Sequence, residues 1–332
     1  MIRGGAIGDF ILTLPAIAAL RAHFPEAQLE VLGYPHIVQL AVAGGLVDQV
    51  HSIEARSLAG FFARGGSLAG DLVDYFSEFD LIISYLYDPD AIFRTNVGLC
   101  GRAQFTVGPH RPEDGCSHSA ALVYLKPLER LAIFETDPIP RLRLDAIEQK
   151  SSTNGPADSR LQMWMTQGRE QALTLAMHPG SGGEHKNWPE AKWTELVRRL
   201  LNETPFRLLL VGGEAELDRL DRLATLVSPG RGAMARSLPL PELASRLSNC
   251  AAFVGHDSGI SHLAAALGLD GLVLWGDTRV EVWRPPSEKM VVVRHPLGLV
   301  ELSATEVIGK LKSLPMWQAV CGSVGRSDTC DL

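Results

Sequence analysis

The 332-residue chain is short of several things. Its five cysteines, Cys100, Cys116, Cys250, Cys321 and Cys330, make no Cys-x-x-Cys pair and no even framework. That argues against a disulfide miniprotein and a structural zinc site, and it favours a reducing compartment; a cytoplasmic protein is expected. Long apolar runs are also missing. The longest charge-free stretch, Val31 to Val47, is interrupted by Pro35, His36, Gln39 and Gly44-Gly45, which makes a poor membrane span. The apolar residues after Arg3 imitate a secretory signal, but Asp9 and Pro15 break them. Positive charge is not in excess. The net charge is −7, with 12 Lys/Arg against 18 Asp/Glu in residues 1–150 and 19 against 20 in residues 151–332. A nucleic-acid partner needs a basic surplus to neutralise phosphates, so none is expected. Neither a Walker A loop nor a Gly-x-Ser-x-Gly elbow occurs, which removes the two commonest signatures of nucleotide hydrolysis and acyl transfer.

What is present is enough apolar residue, 46% of the chain, to bury a full core in two domains. From Thr174 onward, β-branched and leucine-rich runs alternate with helical patterns, the rhythm of parallel βαβ units. The spacing predicts strands at Leu173–Met177, Arg207–Val211, Ala251–Val254, Gly271–Leu274 and Met290–Val293. Helices are predicted between them at Glu190–Leu201, Ala215–Leu226, Leu240–Ser248 and Ile260–Leu267. The first half repeats the pattern less cleanly, with a helix at Leu14–His23 and strands at Leu29–Leu32, Leu81–Ser84 and Gln104–Val107. The fold class is therefore α/β. A polar segment, Ile147–Ser159, reads as a linker. The expected domains are 1–150, 151–302 and a closing piece, 303–332, whose helix is capped by the Ser303/Glu306 spacing and packs back on the first domain.

Three loops carry chemistry. His178-Pro179-Gly180-Ser181-Gly182-Gly183-Glu184-His185-Lys186-Asn187-Trp188-Pro189 joins a strand to a helix. Its glycines, Gly182 among them, let backbone N–H groups approach an anion, and Lys186 adds a full charge. The same segment also reads as a Gly-rich turn with a solvated lysine. Gly212-Gly213-Glu214 ends the next strand, where an acid can meet ribose hydroxyls or merely face a helix dipole. In Gly255-His256-Asp257-Ser258-Gly259-Ile260-Ser261-His262, Asp257 or Ser258 can cap a helix and form a second anion socket. His262, one turn into that helix, is equally readable as a hydrogen-bonded core histidine. The pair His178 and His185 has no recognisable metal-ligand spacing. At the start, Arg3-Gly4-Gly5-Ala6-Ile7-Gly8 leads to Asp9 at the mouth of the first loop, as a base or as a plain N-cap.

These segments, with Trp275-Gly276-Asp277-Thr278 and Trp283-Arg284-Pro285 following in order, resemble the lipopolysaccharide heptosyltransferase family, glycosyltransferase family 9. The resemblance spans Arg3 to about Leu314. It implies a GT-B fold, two Rossmann-like domains facing across a cleft, and inverting, metal-independent transfer from a nucleotide-sugar. The usual donor is ADP-heptose, bound as a substrate; no cofactor is expected. The implied acceptor is a glycan or glycolipid of lipopolysaccharide type, with peripheral contact at the inner membrane face. Residue by residue, Asp9 matches the general base, Lys186 the phosphate-binding lysine, Glu214 the nucleoside-binding acid and Asp257 the donor-loop aspartate. Ser181, Gly182, Ser258, Gly259 and His262 match the lining of the donor site. Two features depart from the family. Only Met1 and Ile2 precede the Arg3 loop where the family has a full first strand, so a truncated strand is expected. Asp277 stands where the family has proline.

Two other functions use the same residues. A non-catalytic nucleotide-sugar binder would keep the donor loops and have no need of Asp9. An epimerase or hydrolase of nucleotide sugars would share the fold, because fold does not determine function.

Overall fold

The computed structural model describes residues 1–134, 136–144, 161, 164–165 and 173–324. The expected linker at 147–159 lies outside the described residues. The chain divides into two compact units, Met1–Leu142 and Arg143–Leu332, so the boundary falls before residue 150.

The first unit holds a five-stranded parallel sheet in the order β3-β2-β1-β4-β5. Its strands are β1 (Ile2–Arg3), β2 (Glu30–Gly33), β3 (Gln49–Ser52), β4 (Leu81–Ser84) and β5 (Gln104–Val107). β1 is two residues long yet central: Ile2 pairs with Leu32 on one side and Ser84 on the other. The first helix runs over Ile7–His23, with Pro15 inside it. It begins well before the expected Leu14. Pro15 removes one helical N–H and would ordinarily interrupt the helix, but Phe10 to Ile17 are all buried, so packing on both sides of the proline outweighs the lost bond. A cavity of about 460 Å³ lies at the amino ends of β1, β2 and β4, lined by Met1, Glu30, Val31, Leu81 and Phe79 among others. Met1's ammonium donates to the Glu30 carbonyl at 2.6 Å, and burial lowers its pKa to about 6.

The second unit holds a six-stranded parallel sheet, β11-β10-β9-β6-β7-β8. The strands are β6 (Thr174–His178), β7 (Arg207–Gly212), β8 (Gly232–Arg236), β9 (Ala252–His256), β10 (Asp270–Leu274) and β11 (Met290–Val293). β6, β7 and β9 are buried along their whole length, as parallel strands covered on both faces must be. The Glu190–Glu203 helix turns Trp193, Leu196, Val197 and Leu200 into the core. Pro189 is its N-cap residue.

The closing helix corrects an expectation. The Ser303/Glu306 capping box forms, and the helix spans Ala304–Leu311. Val307, Ile308 and Leu311, followed by Leu314 and Trp317, join the core of the second unit with Trp188, Trp193 and Leu274. Its apolar face is satisfied there, so it belongs to the second unit and not to the first. Among the described residues no helix is long and apolar enough to cross a membrane.

Candidate functional site

In each sheet the strand order reverses once, between β1 and β4 and between β6 and β9. Loops leaving the carboxyl ends of strands on either side of a reversal part company, and the crevice between them is where α/β sheets bind ligands. Every predicted site residue except Glu214 follows β1, β6 or β9; Glu214 follows the adjacent β7.

In the first unit, Gly5 takes φ +106° and brings the backbone round onto Asp9. A Cβ there would stand 3.2 Å from the Asp9 carboxylate. Asp9 is the third residue of the helix, not its N-cap. Its Oδ2 accepts the Ala6 N–H at 3.2 Å, and its Oδ1 accepts the Tyr124 hydroxyl at 3.3 Å. Arg3, buried in the sheet, places Nη2 3.6 Å from Oδ1. The Asp9 side chain keeps 28% of its surface exposed, so a carboxylate held by protein on one side remains open to a ligand.

In the second unit, three loops converge. Asp257, after β9, accepts on Oδ2 both the Lys186 ammonium at 2.8 Å and the Thr278 hydroxyl at 2.7 Å. Lys186 comes from the β6 loop and Thr278 from the β10 loop. The Lys-Asn-Trp-Pro segment owes its placement to Trp188, which is fully buried. The Trp188 backbone N–H donates to His256 Nε2 at 2.8 Å, and its indole N–H donates to the Leu302 carbonyl at 2.8 Å. Since His256 Nε2 accepts, its proton sits on Nδ1 and points to the Gly180 carbonyl, 3.2 Å away. Burial lowers the His256 pKa to about 3 and that of His178 to about 4. One neutral imidazole thus ties the glycine loop to β9.

Ser181 Oγ lies 2.8 Å from both the Gly183 carbonyl and Asn187 Oδ1. Gly182 occupies the left-handed region at φ +72°, exposed. Of the two possible caps, Ser258 is the one used, accepting the Ser261 N–H at the start of the Gly259–Ala266 helix. Its Oγ also lies 3.3 Å from His178 Nδ1. Gly259 opens that helix and His262 is buried within it. Glu214 is exposed at the start of a short 3-10 turn, while Glu216, two residues on, is buried. Glu216 accepts the Gly213 N–H at 2.9 Å and packs where a Cβ of Gly180 would fall.

Thr278, His256, Glu216 and Tyr124 are absent from the sequence-derived site. Thr278 and His256 stand inside recognised motifs, and their role could have been asked of them. Tyr124 carries no local signal, since it meets Asp9 from a helix 115 residues away. The chain contains one Asp-x-Asp, Asp88-Pro89-Asp90, a pairing that can hold a metal ion. Here the Asp88 carboxylate accepts the Phe93 and Arg94 N–H groups at 3.2 and 3.0 Å, and Asp90 pairs with Arg64 at 3.2 Å. Among the described residues no three His, Cys, Asp or Glu side chains converge on one point.

Residues 138–312 match glycosyltransferase family 9 (heptosyltransferase). Lipopolysaccharide heptosyltransferase 3 of Escherichia coli is 22% identical over 297 residues, which cover 86% of this chain and 85% of that protein. Lipopolysaccharide heptosyltransferase 1 of Pseudomonas aeruginosa is 39% identical over 93 residues, 28% of this chain and 26% of that protein. Among solved structures, E. coli ADP-heptose lipopolysaccharide heptosyltransferase II aligns with a TM-score of 0.74 at 17% identity, covering 96% of this chain and 98% of that one. A family 9 glycosyl transferase from Veillonella parvula aligns with a TM-score of 0.74 at 16% identity, covering 94% and 95%. These likenesses establish the fold as GT-B, as the motifs imply.

Proposed function

Since this chain belongs to glycosyltransferase family 9, we propose that it moves a heptose from ADP-heptose to a lipopolysaccharide-type glycan or glycolipid by an inverting displacement. The acceptor oxygen attacks the anomeric carbon, the bond from that carbon to the diphosphate oxygen breaks, and the acceptor proton passes to Asp9. A carboxylate is a weak base for an alcohol, so Asp9 acts chiefly as the proton becomes acidic in the transition state. The electron pair leaves with ADP, whose growing negative charge needs donors already in place.

Lys186 is suited to that task. An ammonium has three donors, and Asp257 takes one of them, leaving the others for the diphosphate. The backbone N–H groups at Ser258 and Gly259 add the positive end of a helix dipole. Ser181 and Gly182 shape the phosphate loop, His262 supports the donor helix from within, and Glu214 is assigned to the ribose hydroxyls. In this reading the reaction needs neither a metal nor a cofactor. The enzyme works in the cytoplasm, in peripheral contact with the inner membrane where such an acceptor is presented.

The observation that carries the proposal is the convergence of Lys186, Asp257 and Thr278 from three loops at the reversal point of the second sheet. The test incubates the whole chain with ADP-heptose and a heptose-deficient lipopolysaccharide core, following ADP release and product mass. Gain of one heptose by the acceptor with equimolar ADP is expected. ADP release without an acceptor would make the protein a hydrolase, and donor binding without turnover would make it a binding module.

A further inference from the structure

Asp9 is held by a chain of contacts drawn from four parts of the first unit. Tyr124, in the Ala120–Leu125 helix, is fully buried and donates its only O–H to Asp9 Oδ1 at 3.3 Å. The Arg3 guanidinium lies over the Tyr124 ring, 4.4 Å from its centroid. Arg3 also donates to the His110 carbonyl at 2.8 Å and to the Asp9 carbonyl at 3.2 Å. Tyr85, just beyond β4, donates its hydroxyl to the Tyr124 backbone carbonyl at 2.6 Å, their rings meeting edge to face. Gly108, just beyond β5, makes room for that ring, because a Cβ there would stand 2.6 Å from it.

The two Asp9 oxygens are therefore unequal. Oδ1 meets a buried hydroxyl and faces a buried guanidinium, whereas Oδ2 has a single N–H from an exposed turn. Burial pushes the Tyr124 pKa up to about 12, so the phenol stays protonated at neutral pH and keeps its O–H for Asp9. A carboxylate free to turn about its last bond would present either oxygen to a substrate. One pinned at Oδ1 presents Oδ2 each time, and such orientation is a large part of what an enzyme contributes to rate.

We propose that Tyr124 is a positioning residue which, with Arg3, pins Oδ1 of Asp9 and turns Oδ2 toward the acceptor hydroxyl. The inference rests on Asp9 being the base and concerns how that base is aimed. It requires Tyr124 to act through Asp9 and through nothing else.

A double-mutant cycle on the full chain tests this, using Asp9→Asn, Tyr124→Phe and the two combined, with kcat and both KM values measured separately. Tyr124→Phe keeps the ring beneath Arg3 and deletes one oxygen. It is expected to lower kcat roughly tenfold, a modest misplacement on the scale of orientation effects, with both KM values unchanged. Asp9→Asn is expected to lower kcat by roughly 100-fold or more, and the double variant by no more than Asp9→Asn alone. Losses that multiply would overturn the inference, as would wild-type kcat in Tyr124→Phe beside a disabled Asp9→Asn. Full turnover in Asp9→Asn would instead remove the base assignment, and the inference with it. Should Tyr124→Phe fail to fold, Tyr85→Phe frees the Tyr124 carbonyl and leaves its hydroxyl. That variant should lower kcat less and again add nothing to Asp9→Asn; an additive loss would overturn the inference.

Discussion

The Lys186 ammonium stands 2.8 Å from Asp257 Oδ2 across 71 residues of sequence, with the aspartate 10% and the lysine 31% exposed. Asp257 fixes the direction of the ammonium at the carboxyl end of the second sheet and takes one of its three donors. Thr278 holds the same carboxylate oxygen from the other side, so the direction of the ammonium is set before any ligand arrives.

Lys186→Ala should weaken ADP roughly 10- to 100-fold, the scale of a charge-assisted hydrogen bond, and adenosine scarcely at all. Titration calorimetry with both ligands decides. Equal losses for the two would mean that the loop itself has come apart and that Lys186 has no particular part in phosphate binding.

The second unit should lose stability between pH 6.5 and 5. His178 and His256 have pKa values lowered from 6.5 to about 4 and about 3 by burial. Above pH 6.5 both are neutral folded or unfolded. Below it the unfolded chain binds protons that the folded chain refuses, so stability falls with pH until the folded pKa values are reached. The loss by pH 5 is on the order of a few kcal/mol, or roughly 10 °C in melting temperature. Glu184 and Glu190, which hydrogen bonds hold below their ordinary 4.5, lose their contributions only as pH drops beneath that value. All six tryptophans lie in the second unit, so tryptophan fluorescence reports its melting alone. The same midpoint at pH 7 and pH 5 would contradict the burial of these imidazoles in neutral form.

Gly180→Ala should destabilise the glycine loop that follows β6. The new Cβ would overlap the Glu216 side chain, which cannot swing aside without abandoning the Gly213 N–H it accepts. Overpacking of this kind costs about 1–3 kcal/mol. Urea unfolding followed by tryptophan fluorescence measures it; an unchanged midpoint would show that Glu216 moves freely.

Under the proposed mechanism turnover should persist undiminished in excess chelator, since there Lys186 and the helix capped by Ser258 would take up the leaving group's charge. An activity abolished by chelator and restored by magnesium would refute metal-independent transfer.

Much of this protein follows from local sequence. β4, β5, β11 and the Leu240–Ser248 helix stand at the predicted residues, because their apolar runs have one periodicity and clear ends. The glycine loop, the Ser258 cap and the Ser303/Glu306 box are equally local, since each needs only a few neighbouring residues to satisfy its backbone groups. Two of the four edge strands are another matter. β8, Gly-Ala-Met-Ala-Arg, and β3, Gln-Val-His-Ser, lack a β-branched pattern and become strands because β7 and β2 offer them hydrogen bonds. The two-residue β1 is a strand only by virtue of its neighbours on both sides.

The sequence by itself determined two Rossmann-like units and their glycine loops, and it marked Asp9, Lys186 and Asp257 as candidates. Tertiary structure alone decided that the closing helix buries its face in the second unit, that Thr278 and Lys186 share one oxygen of Asp257, and that Tyr124 meets Asp9. Those contacts join residues that no periodicity links. They exist because the folded sheets bring distant loops and helices together, where apolar faces must be covered and buried polar groups must find partners wherever the chain has placed them.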